Sequence, residues 1–258
     1  MEIFWLIIIS FAASWLTFFS GFGLGTILTP VFYLLFHDLA LAVAGTAIVH
    51  FLNNLFKFLL MQKKVDWKIA LPFGLASIPA AFFGAWLLVH FEDAVIAQYT
   101  LNQKVFSIHL MNLIFGLLLI IFAVIEIVPQ FTLNLDKKYL WLGGLISGFF
   151  GGLSGHQGAL RTAFLTKYKL DKEVFIATGI VIALAVDISR TAEYFANFEL
   201  DILKSNWQIL AFSLLAAFAG AVIGKYLLKK IDFKILTWVI AVSMMIFGVL
   251  LASGFLNK

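Results

Sequence analysis

Two glycine-broken apolar stretches decide the fold. The first is Gly21-Phe22-Gly23-Leu24-Gly25, followed by Pro30; the second is Gly148-Phe149-Phe150-Gly151-Gly152-Leu153-Ser154-Gly155-His156-Gln157-Gly158. Each interrupts an apolar run too long for one membrane span. Paired interruptions in the two halves of a membrane protein point to a transporter's binding site. The surrounding chain fits that setting. It is 62% hydrophobic and 12% charged, about half the charge of a soluble domain, and its mean hydropathy is +1.02. Apolar runs recur along its whole length, so it reads as an all-α polytopic membrane protein with a single transmembrane domain.

The remaining composition excludes several classes. The formal charge of +4 works as a topology signal and does not call for nucleic acid. The absence of cysteine rules out disulfides and thiolate metal sites. No metal-ligand motif, cofactor signature or P-loop is present, so the sequence predicts no metal, no cofactor and no enzyme. Met1-Glu2-Ile3-Phe4 lacks a basic region and reads as the start of the first helix.

The apolar segments fall at 3–19, 25–36, 39–62, 67–90, 107–127, 139–151, 158–168, 172–197, 202–229 and 234–255. At ~1.5 Å per residue, 25–36 and 158–168 each cover less than about 20 Å, too little for a hydrocarbon core of about 30 Å. They pair with 3–19 and 139–151 as helical hairpins that enter and leave by one face, or as two short crossings of the same parity. Six full spans remain.

Lysines orient the chain. Loops 63–68, 129–138, 167–172 and 229–234 then share one side and hold eleven lysines, against Lys104, Lys204 and Lys258 on the other. The positive-inside rule places the first set in the cytoplasm and both termini outside a cell membrane. Each half is one re-entrant hairpin plus three spans, an odd number, so residues 131–258 form a second repeat inverted relative to 1–130. An offset of 133 aligns Gly25 with Gly158, Asp38 with Asp171, Asn54 with Asp187 and Lys57 with Arg190; after a small insertion Gly84 meets Gly224.

At these residues the chain resembles the sulfite exporter TauE/SafE family. The glycine cluster running into Thr29-Pro30 matches its first-half pattern. Ala177-Thr178-Gly179 resembles its Ala-Thr signature, with Ala44-Gly45-Thr46 as a degenerate first copy, and Val65-Asp66-Trp67 and Gly84 also fit. The second half departs from the pattern: Gly155-His156-Gln157-Gly158-Ala159-Leu160-Arg161-Thr162-Ala163 carries Ala163 where proline is expected. The resemblance implies transport of sulfur-containing or organosulfonate anions, with His156, Gln157 and Arg161 added to the usual site.

The residues supply the chemistry independently. Helices opening at Gly25 and Gly158 offer unpaired N–H groups and the positive dipole end, an anion site that glycine lets a ligand approach. Gly21, Gly23 and Gly155 belong to the same tips. Tight helix packing is the structural alternative. Arg161, three residues past the second tip, can hold a sulfonate or carboxylate bidentately or pair with Asp187. Gln157 offers an amide, and His156 a group that changes charge near neutral pH, unless both only stitch the tip to its neighbours. Asp187 and Arg190 lie one turn apart near the middle of their span. With His50 they are candidates for proton coupling or for charge pairing. Asn54 is a site candidate as the repeat mate of Asp187, and Lys57 is expected to snorkel. The function read is a secondary transporter for a small anion in the lipid bilayer, with the tips meeting at the midplane. An anion channel using the same tips as a filter is the alternative.

Overall fold

A computed structural model describes residues 2–20, 24–91, 94–127, 137–197, 201–227 and 234–256. Eleven α-helices lie among them: α1 (Glu2–Ser20), α2 (Leu24–Phe36), α3 (Leu39–Met61), α4 (Trp67–Phe91), α5 (Leu110–Ile127), α6 (Leu140–Ser154), α7 (Gly158–Leu165), α8 (Lys172–Asn197), α9 (Asp201–Ser205), α10 (Trp207–Leu227) and α11 (Lys234–Ala252). Four helices, over residues 39–64, 67–91, 172–197 and 207–226, are long and apolar enough to cross a membrane. Shorter apolar helices accompany them, and the chain is a multi-pass membrane protein. The exposed large side chains include Trp5, Trp67, Trp141, Trp207 and Trp238, an outward-facing apolar surface.

Local chemistry sets the helix ends that matter. Asp38 caps α3, its carboxylate accepting from the Leu41 N–H at 2.8 Å. The short helices α2 and α7 begin at the two glycine breaks. α6 stops at Gly155, whose φ of +77° ends the helix in the left-handed conformation while its N–H donates to the Gly151 carbonyl.

Small residues let the helices meet backbone to backbone. Gly144, Gly148 and Gly152 put one face of α6 on α4; a Cβ at Gly148 would stand 2.5 Å from the Ser77 carbonyl, and one at Gly152 would strike the Ala81 carbonyl. Gly220 and Gly224 set α10 against Phe11, Trp15 and Phe18 of α1 in the same way. Gly116 of α5 and Gly248 of α11 oppose each other, each occupying the space a Cβ on the other would need. In the middle, α3 packs on α8. These two helices carry buried polar side chains that include His50, Asn54, Lys57, Asp187 and Arg190.

Residues 95–109 form an antiparallel ribbon, β1 (Val95–Leu101) with β2 (Lys104–His109), so α5 starts at Leu110 rather than at 107. Asn102 and Gln103 turn it with φ of 49° and 64°, the left-handed pair that a two-residue hairpin favours. Phe106 stacks between Tyr99 and Phe255, and the Tyr99 hydroxyl donates to the Ser253 carbonyl at 2.8 Å, docking the ribbon on the end of α11.

Candidate functional site

The start of α2 and the turn between α6 and α7 meet. A Cβ added to Gly25 would lie 3.5 Å from the Gly155 carbonyl oxygen, 3.7 Å from Thr46 and 3.9 Å from Cδ2 of His50. Gly21 and Gly23 fall outside the described residues. Gly158 is buried and opens α7.

The second tip is clamped through its backbone. Ser147 donates to the Gln157 carbonyl at 3.0 Å, and Tyr194 donates to the Gly152 carbonyl at 2.6 Å. Its side chains are left unmatched. His156 is 4% exposed and Gln157 2%. Neither nitrogen of the His156 ring and neither polar atom of the Gln157 amide has a hydrogen-bond partner. The His156 ring stands edge-on to Phe115 at 5.4 Å and stacks on Phe122 at 6.2 Å. Burying such groups unpaired costs about 1–3 kcal/mol each.

Beside the tip lies a buried charge network. Asp187, fully buried in α8, receives His50 Nδ1 at 2.7 Å and Asn54 Nδ2 at 3.0 Å on one oxygen, and Arg190 Nε at 3.1 Å and Nη2 at 2.9 Å on the other. Removing one partner of a buried ion pair strands the other at a cost of several kcal/mol, so this cluster is held together. The third Arg190 nitrogen, Nη1, has no partner and points at the turn: a Cβ on Gly155 would come within 2.7 Å of it. Gly155 therefore serves twice, supplying the positive φ and leaving room for a guanidinium.

Arg161, the chain's other arginine, is 3% exposed. Its Nε lies over Gly179, 3.3 Å from where a Cβ would stand, within electrostatic reach of Asp187. Lys57 does not snorkel: it is 4% exposed, with Nζ 5.5 Å above the Phe18 ring and near Arg161. The aromatic body of Phe18 and the packing of α3 on α8 hold it inside. Apart from the half-buried Gly155, the described candidates are buried, and Lys57, Tyr194, Phe115 and Phe122 lie among them. The aromatic walls carried no sequence signal in a chain with 29 phenylalanines.

Arg190 Nη1 at the glycine turn and the buried amide of Gln157 are donors of the kind an anion accepts from. Among the described residues no group of three His, Cys, Asp or Glu side chains is placed to hold a metal. A cavity of about 350 Å³ beside the first tip, lined by Ala12, Ala13, Leu16, Thr26, Pro30 and Met244 among others, is almost wholly apolar and offers an anion little.

A sequence profile of the sulfite exporter TauE/SafE family matches residues 6–251. A probable membrane transporter protein of Methanocaldococcus jannaschii is 26% identical over 189 residues, covering 68% of this chain and 67% of its own. Both descriptions are of membrane transporters rather than enzymes. No solved structure matches the chain significantly.

Proposed function

The chain belongs to the sulfite exporter TauE/SafE family, and from that premise we propose a secondary transporter for a small sulfur-containing or organosulfonate anion. The anion lies where Gly25 meets the Gly155–Gly158 turn. The observation that carries this reading is the set of buried, unpartnered donors there: the Gln157 amide, the His156 ring and Arg190 Nη1. An anion accepting from them removes a cost that the empty protein bears. Arg190 joins Arg161 as a cationic contact, and the backbone N–H groups at the start of α2 and α7 complete the site.

The mechanism proposed is alternating access between two inverted repeats, 1–130 and 131–258, each with a re-entrant hairpin. Packing supports it. α4 lies on α6 as α10 lies on α1, so each hairpin leans on a helix of the other half. One contact joins a residue to its own counterpart: Asn54 with Asp187, 133 positions apart. Mutual contacts of this kind mark a two-fold axis. Near-complete burial of His156, Gln157 and Arg190 favours a closed transporter site over a water-filled channel filter. The lysine asymmetry supports a cell-membrane protein with both termini outside.

The test is a thermal-shift titration of purified protein with sulfite, thiosulfate, sulfate, taurine, sulfoacetate and methanesulfonate, followed by proteoliposome uptake of any anion that stabilises. A concentration-dependent rise in melting temperature and saturable uptake are expected. Conductance far above carrier turnover would establish the channel instead, and an absence of stabilisation by every anion would overturn the site.

A further inference from the structure

Asp187 and His50 make a pair in which only one member is free to change charge. Asp187 is fully buried and holds both Nε and Nη2 of Arg190 on one oxygen. Protonating it would leave a buried guanidinium without its counter-charge, so the carboxylate stays ionised. His50 is placed differently. Asn54 Nδ2 sits 3.0 Å from both His50 Nδ1 and Asp187 Oδ2, and an amide NH₂ only donates. The assignment that satisfies all three groups has Nδ1–H and the Asn54 amide both donating to Asp187 Oδ2. The carboxylate then fixes the tautomer and leaves Nε2 as the basic nitrogen. That nitrogen lies on the ring edge that carries Cδ2, the atom facing Gly25. The His50 side chain is also 10% exposed where Asp187 is 0%.

Accepting the anion site proposed above, we infer that His50 Nε2 binds a proton together with the anion, making the protein an anion–proton symporter. The proton adds to the Nε2 lone pair and gives an imidazolium. Its Nδ1–H stays on Asp187, and its new Nε2–H points toward the tip. The charges facing His50 set the coupling: Asp187 and Arg190 from α8, Lys57 from its own helix and His156 from the α6–α7 turn. With the tip empty, one carboxylate stands against the cations Arg190 and Lys57, which disfavours a further positive charge. A bound anion reverses that balance. Proton and anion therefore raise each other's affinity by the same factor, and each crosses bound to the same state.

The test uses methanesulfonate and thiosulfate, whose charges stay constant between about pH 5.5 and 8.5, a range that spans histidine titration. Calorimetry on purified protein in two buffers of different ionisation enthalpy measures affinity and proton uptake together. The expected result is uptake of close to one proton per anion and a Kd that rises about tenfold per pH unit on the alkaline side. His50→Gln, whose amide can still donate to Asp187, should bind with neither pH slope nor proton uptake. Anion binding by the wild type without proton uptake overturns the inference and leaves the tip site standing, whatever the variant does. A pH slope that persists in His50→Gln does the same. No binding of either anion at any pH overturns both readings.

Discussion

Replacing Gln157 with methionine should change the empty and the loaded protein in opposite directions. Methionine keeps the length and volume of the side chain and fills irregular space readily. In the native protein both amide atoms of Gln157 are buried without a partner, in a side chain 2% exposed. Each such atom costs about 1–3 kcal/mol; taking the low end for two atoms gives about 2 kcal/mol of stabilisation in the unliganded variant. For a chain of this size about 2 kcal/mol corresponds to a rise of roughly 4–8 °C in melting temperature. The ligand response should fall. An anion at a hundred times its Kd stabilises by about 2.7 kcal/mol, and loss of one donor to a charged group removes about 1.5–3 kcal/mol of affinity, most of that response. The assay is thermal unfolding of wild type and Gln157→Met in one detergent, with and without the stabilising anion. A variant that unfolds at a lower temperature than wild type when empty would mean the amide is partnered after all. A variant with the full anion response would mean Gln157 does not touch the ligand. Either result refutes the reasoning.

Three further outcomes follow from the same geometry. Gly155→Ala places a Cβ at φ +77° and 2.7 Å from Arg190 Nη1; unfolding should show a loss of at least about 1–2 kcal/mol, with anion binding weakened more than in an alanine substitution elsewhere in α6. Asp187→Asn leaves Arg190 buried without its carboxylate and should cost about 3–5 kcal/mol, seen as a fall in melting temperature at every pH; a pH-dependent fall alone would contradict the fixed charge assigned to Asp187. Single cysteines at positions 64 and 258, in a chain with none of its own, should react with an impermeant reagent from opposite faces of oriented vesicles, and labelling of both from one face would remove the inverted arrangement.

The parts of this fold legible in the sequence are those that depend on local rules. The breaks at Gly25 and Gly158 and the short helices after them follow from glycine content and run length, and α2 and α7 begin within one residue of those glycines. His50, Asn54 and Lys57 share one face of α3 by helical spacing, because residues about one turn apart lie on the same side. What resisted reading depends on the facing helix. Lys57 is close enough to its helix end to snorkel by sequence position, but Phe18 and α8 enclose it. Arg190 could be placed beside Asp187 from their three-residue separation, yet the aim of its Nη1 at Gly155 is set by how α6 ends against α8. The ribbon at 95–109 carries little sequence signal, because its turn is Asn-Gln rather than Asn-Gly and its strands lack strict alternation.

The Asn54–Asp187 hydrogen bond has a consequence for how such a molecule is poised. On the proposed repeat these two positions are counterparts that touch across the rotation axis. In a pair of identical chains the axis would face like with like, two carboxylates repelling or two carboxamides without charge. A fused chain escapes that rule and seats one carboxylate against one carboxamide. The same licence shows at the hairpins, where Pro30 has Ala163 as its counterpart and only the second tip carries His156, Gln157 and Arg161. Perfectly matched halves would make the inward-open and outward-open forms mirror exchanges of equal energy. With different letters at the axis and at the tips, the two forms of the proposed carrier would differ in energy, and it would rest with one door preferred.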